Sequence, residues 1–382
     1  MSDNVLQLAS RAFPRRLAAP GILRPSMLRR SVSRLDSHET ICGPSATTAS
    51  GFPNPYCVID ALLGPLRLPL PLPSFTLPEV APVGRLPHGR VVELSNRGST
   101  YVVDSGPTAG GPTFVLLHSL ACTGLLTWYP SLEMMRRFGR VVVFDQRCHG
   151  SGIASPRFQL EDCADDVAAL ADELGIETFI PVGFSMGSLV AQQVWRRHRD
   201  RVDALVLCAA AATFGRATHE RLATGVFAAL LEAVGPQPGR PDPARLSVVD
   251  DIVMNDRLWA LGQFRATSYG AMMRALAEIT RFDSTRWIAD IDVPTSVLIP
   301  LRDRVIPPRH QRWVAEQIPD AHTVTVDAGH AGCTMQWKAF VPGLRSAVDS
   351  VVRRITHSRN VTAGVSGLVV ARCRVWVSGT KR

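Results

Sequence analysis

Short apolar runs alternate with longer amphipathic segments through the middle of the chain. The runs are four or five residues long and mostly aliphatic, and they cover residues 113–117, 140–144, 178–182, 204–208, 295–299 and 323–326. Continuous apolarity over so short a length is typical of strands buried on both faces of a sheet. Ahead of them, residues 91–94 and 101–103 predict a hairpin with its turn at 96–98.

Helical periodicity fills the segments between these runs. Residues 160–174 place Asp162 and Asp166 on one side and Val167 on the other, and Gly175 then ends the pattern. Strands that alternate with helices imply a mostly parallel central sheet, joined by right-handed crossovers and flanked by helices. The predicted fold class is therefore α/β.

Composition divides the chain into three parts. Residues 1–85 are rich in Pro, Arg and Ser without sustained periodicity, which predicts a disordered extension. Residues 90–352 carry the strand–helix pattern and form the predicted folded domain. Within it, residues 214–285 contain helical segments and no strand run, which predicts a helical cap inserted into the sheet domain. The basic tail 355–382 follows the last helix and is expected to be flexible, although residues 367–377 are strand-like.

The net charge of +9 is concentrated at the chain ends. Residues 1–90 hold ten arginines against five acidic residues, and residues 353–382 hold seven basic residues and no acidic one. Residues 91–352 therefore carry a net charge of −3, and no nucleic-acid partner is expected for the folded domain. The basic ends are expected to be solvated.

Cysteine usage and the N-terminal segment bear on the compartment. The eight cysteines include no Cys-x-x-Cys pair, so no metal site is expected, and scattered thiols favour a reducing, cytoplasmic location. Residues 11–34 are rich in Arg and Ser without an acidic residue, which leaves open an organellar transit peptide or a start codon assigned too far upstream. No transmembrane segment is expected, because prolines interrupt the apolar stretch 59–77.

The strongest chemical signal is Gly-Phe-Ser-Met-Gly at residues 183–187. It lies between a predicted strand and a predicted helix, so Ser185 occupies a tight turn at the carboxyl edge of the sheet. Gly183 and Gly187 allow the strand and the helix to pass closely at this turn. A serine hydroxyl exposed in this way, at a helix N-terminus, predicts a covalent nucleophile.

A serine nucleophile needs a base, and the base needs an orienting acid. His330 follows the last strand directly and is the predicted base. Asp303 follows the preceding strand and is the predicted acid, although its arginine neighbours also suggest a surface ion pair; Asp327 is the alternative acid. The chain order Ser185, Asp303, His330 is the one expected of a nucleophile turn on a sheet of this kind.

Two backbone N–H groups are needed to stabilise an oxyanion. Met186, directly after the nucleophile, is expected to supply one. The other is expected from the loop after the first buried strand, with Leu120 as the first choice and Ser119 as the alternative. His118 and Trp128, in and beside this loop, are the candidates for contact with the substrate.

Between about residues 90 and 350, the chain resembles the α/β-hydrolase fold family. Besides the nucleophile turn, His118-Ser119 matches the family's His-Gly turn, and Asp-Gln-Arg-Cys-His-Gly-Ser-Gly at 145–152 matches its Asp-x-Arg-Gly-x-Gly loop. Asp303 and His330 fall in the acid and base motifs. The resemblance implies an α/β-hydrolase fold with a helical cap insertion and a triad that uses no cofactor.

Three positions depart from the family pattern. Ser119, Cys148 and Ser188 stand where the family has glycine. Each carries a side chain where the family tolerates a positive φ or a close approach of the backbone. A side chain at Ser119 would tilt the oxyanion N–H and slow the reaction.

These observations predict a serine hydrolase that cleaves a carboxylic ester of a small to medium apolar substrate through an acyl-enzyme. The same triad serves C–C bond hydrolases, lactone hydrolases and cofactor-free haloperoxidases or perhydrolases, and these alternatives stay open. A hydrolase-fold binding protein with weak turnover is a further hypothesis, because three glycines are replaced. The oligomeric state stays open.

Overall fold

The predicted apolar runs form one eight-stranded sheet within the described part of the chain. The structure, a computed structural model, describes residues 79–214 and 255–377, with side chains up to residue 358. The strands are β1 Arg90–Leu94, β2 Gly98–Asp104, β3 Thr113–Leu117, β4 Arg140–Phe144, β5 Ile180–Phe184, β6 Leu205–Cys208, β7 Thr295–Pro300 and β8 His322–Val326. Their order across the sheet is β1-β2-β4-β3-β5-β6-β7-β8. This confirms the predicted α/β class with a mostly parallel sheet.

The strand directions bring two loops to one place at the edge of the sheet. β1, β2 and β4 pair antiparallel, whereas the pairs from β4 through β3 to β8 are parallel. β3 lies between β4 and β5, and Leu117 at its end pairs with Gly183 of β5. The strand order reverses here, and ligand crevices of open α/β sheets form beyond the carboxyl ends of strands at such a point. The loops after β3 and β5 therefore begin side by side.

Helices cover both faces of this sheet. The described α-helices are α1 Gly124–Trp128, α2 Leu132–Arg136, α3 Leu160–Glu173, α4 Met186–Arg197, α5 Asp256–Arg265, α6 Tyr269–Arg281, α7 Pro308–Gln317, α8 Gly332–Met335 and α9 Trp337–Val377. On one face α3 and α4 bury apolar residues such as Val167 and Leu189. On the other face α1, α2 and α9 bury Trp128, Met135 and Phe340. β5 is buried along its whole length, which explains its continuously apolar sequence.

The predicted insertion between β6 and β7 is described only in part. Its second half, residues 255–285, contains α5 and α6, which are joined by a short turn. Each helix begins at a side-chain cap: Asn255 accepts from the backbone N–H groups of Arg257 and Leu258, and Ser268 accepts from that of Ala271. Residues 215–254 of the predicted insertion lie outside the described residues.

The structure differs from the sequence prediction at residues 79–85, which were expected to belong to a disordered extension. This segment has no regular secondary structure, yet Ala81 and Val83 are buried. Pattern-based prediction missed it because the segment packs irregularly and shows neither a helical nor a strand period. Residues 1–78 lie outside the described residues.

The last helix is also longer than expected. α9 runs from Trp337 to Val377, through the tail that was expected to be flexible and through the strand-like run at 367–377. Backbone hydrogen bonds of a helix are local, and no proline follows Pro342 to interrupt them. Although α9 has 41 residues, no helix among the described residues is long and apolar enough to cross a lipid bilayer.

Candidate active site

Ser185 lies on the turn between β5 and α4 with a strained backbone. Its φ is 54° and its ψ is −117°, a conformation that costs a non-glycine residue about 1–3 kcal/mol. The residues two positions before and two positions after Ser185 must be glycine. A Cβ on Gly183 would lie 2.2 Å from the carbonyl oxygen of Gly187, and a Cβ on Gly187 would lie 2.1 Å from that of Leu117. The turn presents the Ser185 hydroxyl at the carboxyl edge of the sheet.

The structure brings the three predicted reactive side chains into one hydrogen-bonded chain. The Oγ of Ser185 lies 2.9 Å from the Nε2 of His330, and the Nδ1 of His330 lies 2.8 Å from the Oδ2 of Asp303. Because an ionised carboxylate only accepts, Nδ1 carries the proton and Nε2 is free to accept one from the hydroxyl. The arrangement prepares Ser185 for deprotonation.

The carboxylate of Asp303 is fully buried and fully hydrogen-bonded. Its Oδ1 accepts from the backbone N–H groups of Val305 and Ile306, both at 2.9 Å, and its Oδ2 accepts from His330 and from the Nε2 of Gln311 at 3.1 Å. A buried carboxylate is stable in its charged form only when its lone pairs are satisfied. These four donors hold the charge next to the imidazole.

The alternative acid, Asp327, lies elsewhere. Its side chain is exposed and forms an ion pair with Arg302 at 2.7 Å. The surface ion pair considered for Asp303 is thus formed by its neighbour Arg302 with Asp327. The structure therefore joins Asp303, and not Asp327, to His330.

Gln311 was not among the residues predicted from the sequence. This residue lies on α7, is fully buried, and also donates to the backbone carbonyl of Ile306 at 2.7 Å. One signal was available: Gln311, Val314 and Ala315 are the buried residues of α7, so an amide side chain stands on the apolar face of an amphipathic helix. A buried amide needs polar partners, and here one partner is the predicted acid.

The predicted oxyanion donors come from the two loops that meet beyond β3 and β5. Met186 is the first residue of α4, where a backbone N–H has no partner within the helix. Leu120 follows β3, and the N-terminus of α4 packs against the start of this loop, since a Cβ on Gly187 would lie 2.9 Å from the carbonyl oxygen of His118. The alternative donor, the Ser119 N–H, points to the Oγ1 of Thr127 at 3.4 Å.

The three departures from glycine have different consequences. Ser119 and Ser188 are not among the described residues with a positive φ, and the Ser188 hydroxyl donates to the carbonyl of Ser185 at 2.7 Å. Cys148, in contrast, has a φ of 62°, the left-handed region that favours glycine. Of the three replaced glycines, only Cys148, in the loop after β4, has a positive φ; in the loop after β3 the positive φ belongs to Ala121, at 63°.

His118 and Trp128 occupy internal positions. The Nδ1 of His118 donates to the carbonyl of Ser119 at 2.8 Å, and its Nε2 accepts from the backbone N–H of Gln146 at 2.8 Å. Burial and the nearby His149 ring hold the pKa of His118 well below its ordinary value, so the ring is neutral. Trp128 is fully buried in the apolar cluster below the sheet. Both side chains are enclosed by protein, so contact with a substrate stays a prediction for them.

A second buried histidine stands behind the same loop. The ring of His149 meets that of His118 edge-on, with 5.2 Å between centroids, and its Nδ1 donates to the carbonyl of Arg147. Burial lowers the pKa of His149 to about 4. Burial likewise raises the pKa of Asp145 to about 6, although its carboxylate accepts from the backbone N–H groups of Gly124 and Ser151. The oxyanion side thus contains titratable groups with displaced pKa values.

Comparison with known proteins shows which family this chain matches. A family model described as "alpha/beta hydrolase fold" matches residues 112–333. The chain is 29% identical over 260 residues to a pimeloyl-[acyl-carrier protein] methyl ester esterase of Chromobacterium violaceum, covering 63% of this chain and 95% of the relative.

Solved structures give the same result. An enol-lactonase from Burkholderia xenovorans LB400 superposes with a TM-score of 0.54 at 26% identity, over 68% of this chain and all of that chain. A hydrolase from Pseudomonas aeruginosa PA01 also gives a TM-score of 0.54, at 25% identity, over 68% of this chain and 98% of its own. From the matched residues, the sheet and the nucleophile turn, the chain belongs to the α/β-hydrolase fold family.

Proposed function

We propose that this protein is a serine hydrolase that cleaves a carboxylic ester through an acyl-enzyme. The observation that carries the proposal is the hydrogen-bonded chain from Ser185 through His330 to Asp303, with distances of 2.9 and 2.8 Å. The first lies within the reach required of a nucleophile and its base, and the second within that of a base and the acid that orients it. The likeness to a protein named as a methyl ester esterase supports the choice of an ester.

In the first half of the reaction, the Ser185 oxygen attacks the ester carbonyl while the Nε2 of His330 takes the hydroxyl proton. The carbonyl oxygen becomes an oxyanion, which accepts hydrogen bonds from the backbone N–H groups of Leu120 and Met186. The tetrahedral intermediate then collapses. Its alcohol leaves with the proton from His330, and the acyl group stays on Ser185.

In the second half, His330 acts on water. Its Nε2 removes a proton as the water oxygen attacks the acyl carbonyl, and the same two backbone N–H groups stabilise the second oxyanion. The Ser185 oxygen leaves with the proton from His330, and the carboxylic acid is released. In both halves Asp303 fixes the tautomer of His330 and stabilises the imidazolium, while Gln311 holds the carboxylate in place.

A lactone is the second candidate substrate. One solved relative is named as an enol-lactonase, and a lactone is an internal ester that would follow the same steps. The difference lies in the leaving alcohol, which stays tethered to the acyl group after ring opening. A substrate panel that contains both classes separates the two candidates.

A covalent probe and a single substitution test the proposal. A fluorophosphonate probe should label the wild-type chain at Ser185, and Ser185→Ala should lose the label. With p-nitrophenyl butyrate, Ser185→Ala should lower kcat by roughly 10⁵-fold or more, because nothing replaces the nucleophile. The hydrolysis rates of esters with acyl chains of two to twelve carbons and of small lactones are then compared to rank the substrates. An unlabelled wild-type chain, or turnover by Ser185→Ala at the parent rate, would overturn the covalent mechanism.

A further inference from the structure

A segment that precedes the residues matched by the family model contacts two separate parts of the domain near the site. Residues 79–89, called the strap here, precede β1 and the matched range 112–333. The N–H of Ala81 donates to the carbonyl of Thr334 at 3.1 Å, close to His330 in sequence, and the carbonyl of Ala81 accepts from the Oη of Tyr129 at 2.7 Å. The N–H of Val83 donates to the Oδ1 of Asp256 at 3.0 Å.

These polar contacts surround a small apolar cluster. Ala81, Val83 and Leu86 of the strap are buried with Tyr129, and Trp259 of α5 packs against them. The rings of Tyr129 and Trp259 meet edge-on at 5.0 Å between centroids, a favourable aromatic geometry. The strap therefore anchors α5, a helix of the insertion, onto the body of the sheet domain.

The anchored face of α5 also reaches the loop that carries Leu120. Asp256, Trp259 and Gln263 are spaced by three and four residues, so they share one face of the helix. At the far end of this face, the Oε1 of Gln263 lies 2.7 Å from the Oγ1 of Thr123. The two residues are 140 positions apart in the chain.

Thr123 connects this loop both to α1 and to α5. Its Oγ1 accepts from the backbone N–H of Leu126 at 3.1 Å and caps α1, so the hydroxyl proton is the one that reaches Gln263. Leu120 lies only three residues earlier. Residues 119–122 form a turn in which the Cys122 N–H donates to the Ser119 carbonyl at 3.3 Å, so a tether at Thr123 holds the end of the turn that carries Leu120.

We propose that α5 is a positioning element for the oxyanion side of the site, acting on the Leu120 N–H through Gln263 and Thr123, and that the strap holds α5 in place. The inference rests on the proposed function, since it assigns the oxyanion to this loop. Gln263 is a positioning residue, because it acts through Thr123 and contacts no reacting group.

The test compares three variants of Gln263 and its helix in the full-length chain. Gln263→Met keeps the length of the side chain but removes the acceptor, and it should lower kcat for p-nitrophenyl butyrate by about three- to tenfold with KM within about twofold. Gln263→Glu retains an acceptor oxygen and should restore kcat to within about twofold. Arg257→Ala, on an exposed position of α5, is the matched control and should leave both constants unchanged.

Hydrogen exchange supplies a readout that needs no turnover. In Gln263→Met, the backbone amides of residues 119–128 should exchange about three- to tenfold faster than in the wild type, since a hydrogen bond that restrains them is lost. Asp256→Ala, which breaks the strap contact, should produce a smaller change in the same residues. Unchanged exchange in Gln263→Met overturns the proposal, and so does faster exchange with an unchanged kcat. A wild-type chain that fluorophosphonate does not label overturns the proposed function instead, and the exchange result then still decides whether α5 restrains the loop.

Discussion

The acid–base side and the oxyanion side of the site are built in different ways. On the acid–base side, three of the four donors to Asp303 come from residues at most eight positions away in the chain. On the oxyanion side, the loop after β3 depends on contacts with Gln146 and Gln263, which lie 28 and 140 positions from their partners. On the first side, β7, the loop after it and α7 supply most of the donors to Asp303. On the second side, the loop after β3 is contacted by α5 of the insertion, which the strap contacts in turn. The hydrogen bonds that hold the Asp303 carboxylate are thus mostly local, whereas the loop after β3 depends on distant packing.

The largest expected effect breaks the acid–base side. Asp303→Asn keeps the shape of the side chain but no longer stabilises the imidazolium or enforces the tautomer of His330, so kcat should fall by roughly 10⁴-fold. The matched control is Asp327→Asn, an exposed residue paired with Arg302, which should keep kcat within about twofold. Steady-state kinetics on one ester decide the matter. A similar loss in both variants would contradict the assignment of Asp303.

The next prediction concerns His149, on the oxyanion side, and how it makes the unfolding free energy depend on pH. Burial lowers the pKa of His149 from 6.5 to about 4. Between pH 6.5 and 4 the unfolded chain is therefore protonated at His149 while the folded chain is not. The stability contributed by neutral His149 is complete above pH 6.5 and is lost as the pH falls toward 4. In His149→Asn, the slope of unfolding free energy against pH in this window should fall by about 1.4 kcal/mol per pH unit.

Urea unfolding at pH 6.5, 5.5 and 4.5 measures that slope. The difference between variant and wild type isolates His149, because Asp145, with its pKa raised to about 6, acts in the opposite direction over part of the window. The cavity left by the smaller Asn changes the offset of the curve but not its slope. His322→Asn, at an exposed position on β8, is the control, and an equal change of slope there would refute the prediction.

Gln311→Leu should have a smaller effect on the acid–base side. The variant removes one of four donors to the Asp303 carboxylate and leaves the other three, so kcat should fall by about tenfold with KM nearly unchanged. Gln193→Leu is the control, since Gln193 is also buried but donates to Glu161 away from the site. If kcat is the same in Gln311→Leu as in the wild type, Gln311 is only a packing residue.

The smallest effect is a gain of stability on the oxyanion side. Cys148→Gly should raise the unfolding free energy by about 1 kcal/mol, because glycine adopts the positive φ of this position without strain. Cys148→Ala removes the thiol but keeps the Cβ, so it should show no such gain. Thermal unfolding of the three chains separates the two contributions. A gain in the alanine variant would assign the effect to the thiol.

Some features were recognisable because their signals are local in the sequence. The apolar runs predicted the strands, since a strand buried on both faces must be apolar throughout. The glycines around Ser185 marked the turn, because a Cβ on Gly183 would collide with the backbone of α4 and a Cβ on Gly187 with that of β3. Asp303 and His330 were recognisable by their positions after β7 and β8. Carboxyl ends of parallel strands meet at one edge, so position along the chain predicted proximity in space.

Other features were decided by the tertiary structure alone. Residues 79–85 are ordered because their apolar side chains meet Tyr129 and Trp259, a contact that leaves no period in the sequence. Trp128 and His118 looked like pocket residues from their place in the chain, but the packing of α1 and of the loop after β4 buries them. Gln263 gained its role from Thr123, a partner 140 positions away in the chain. The sequence by itself determined the strands, the turn at Ser185 and the order of the reactive residues, because those depend on local backbone geometry. The direction of side chains between distant segments depends on how the segments pack, and only the folded structure decided it.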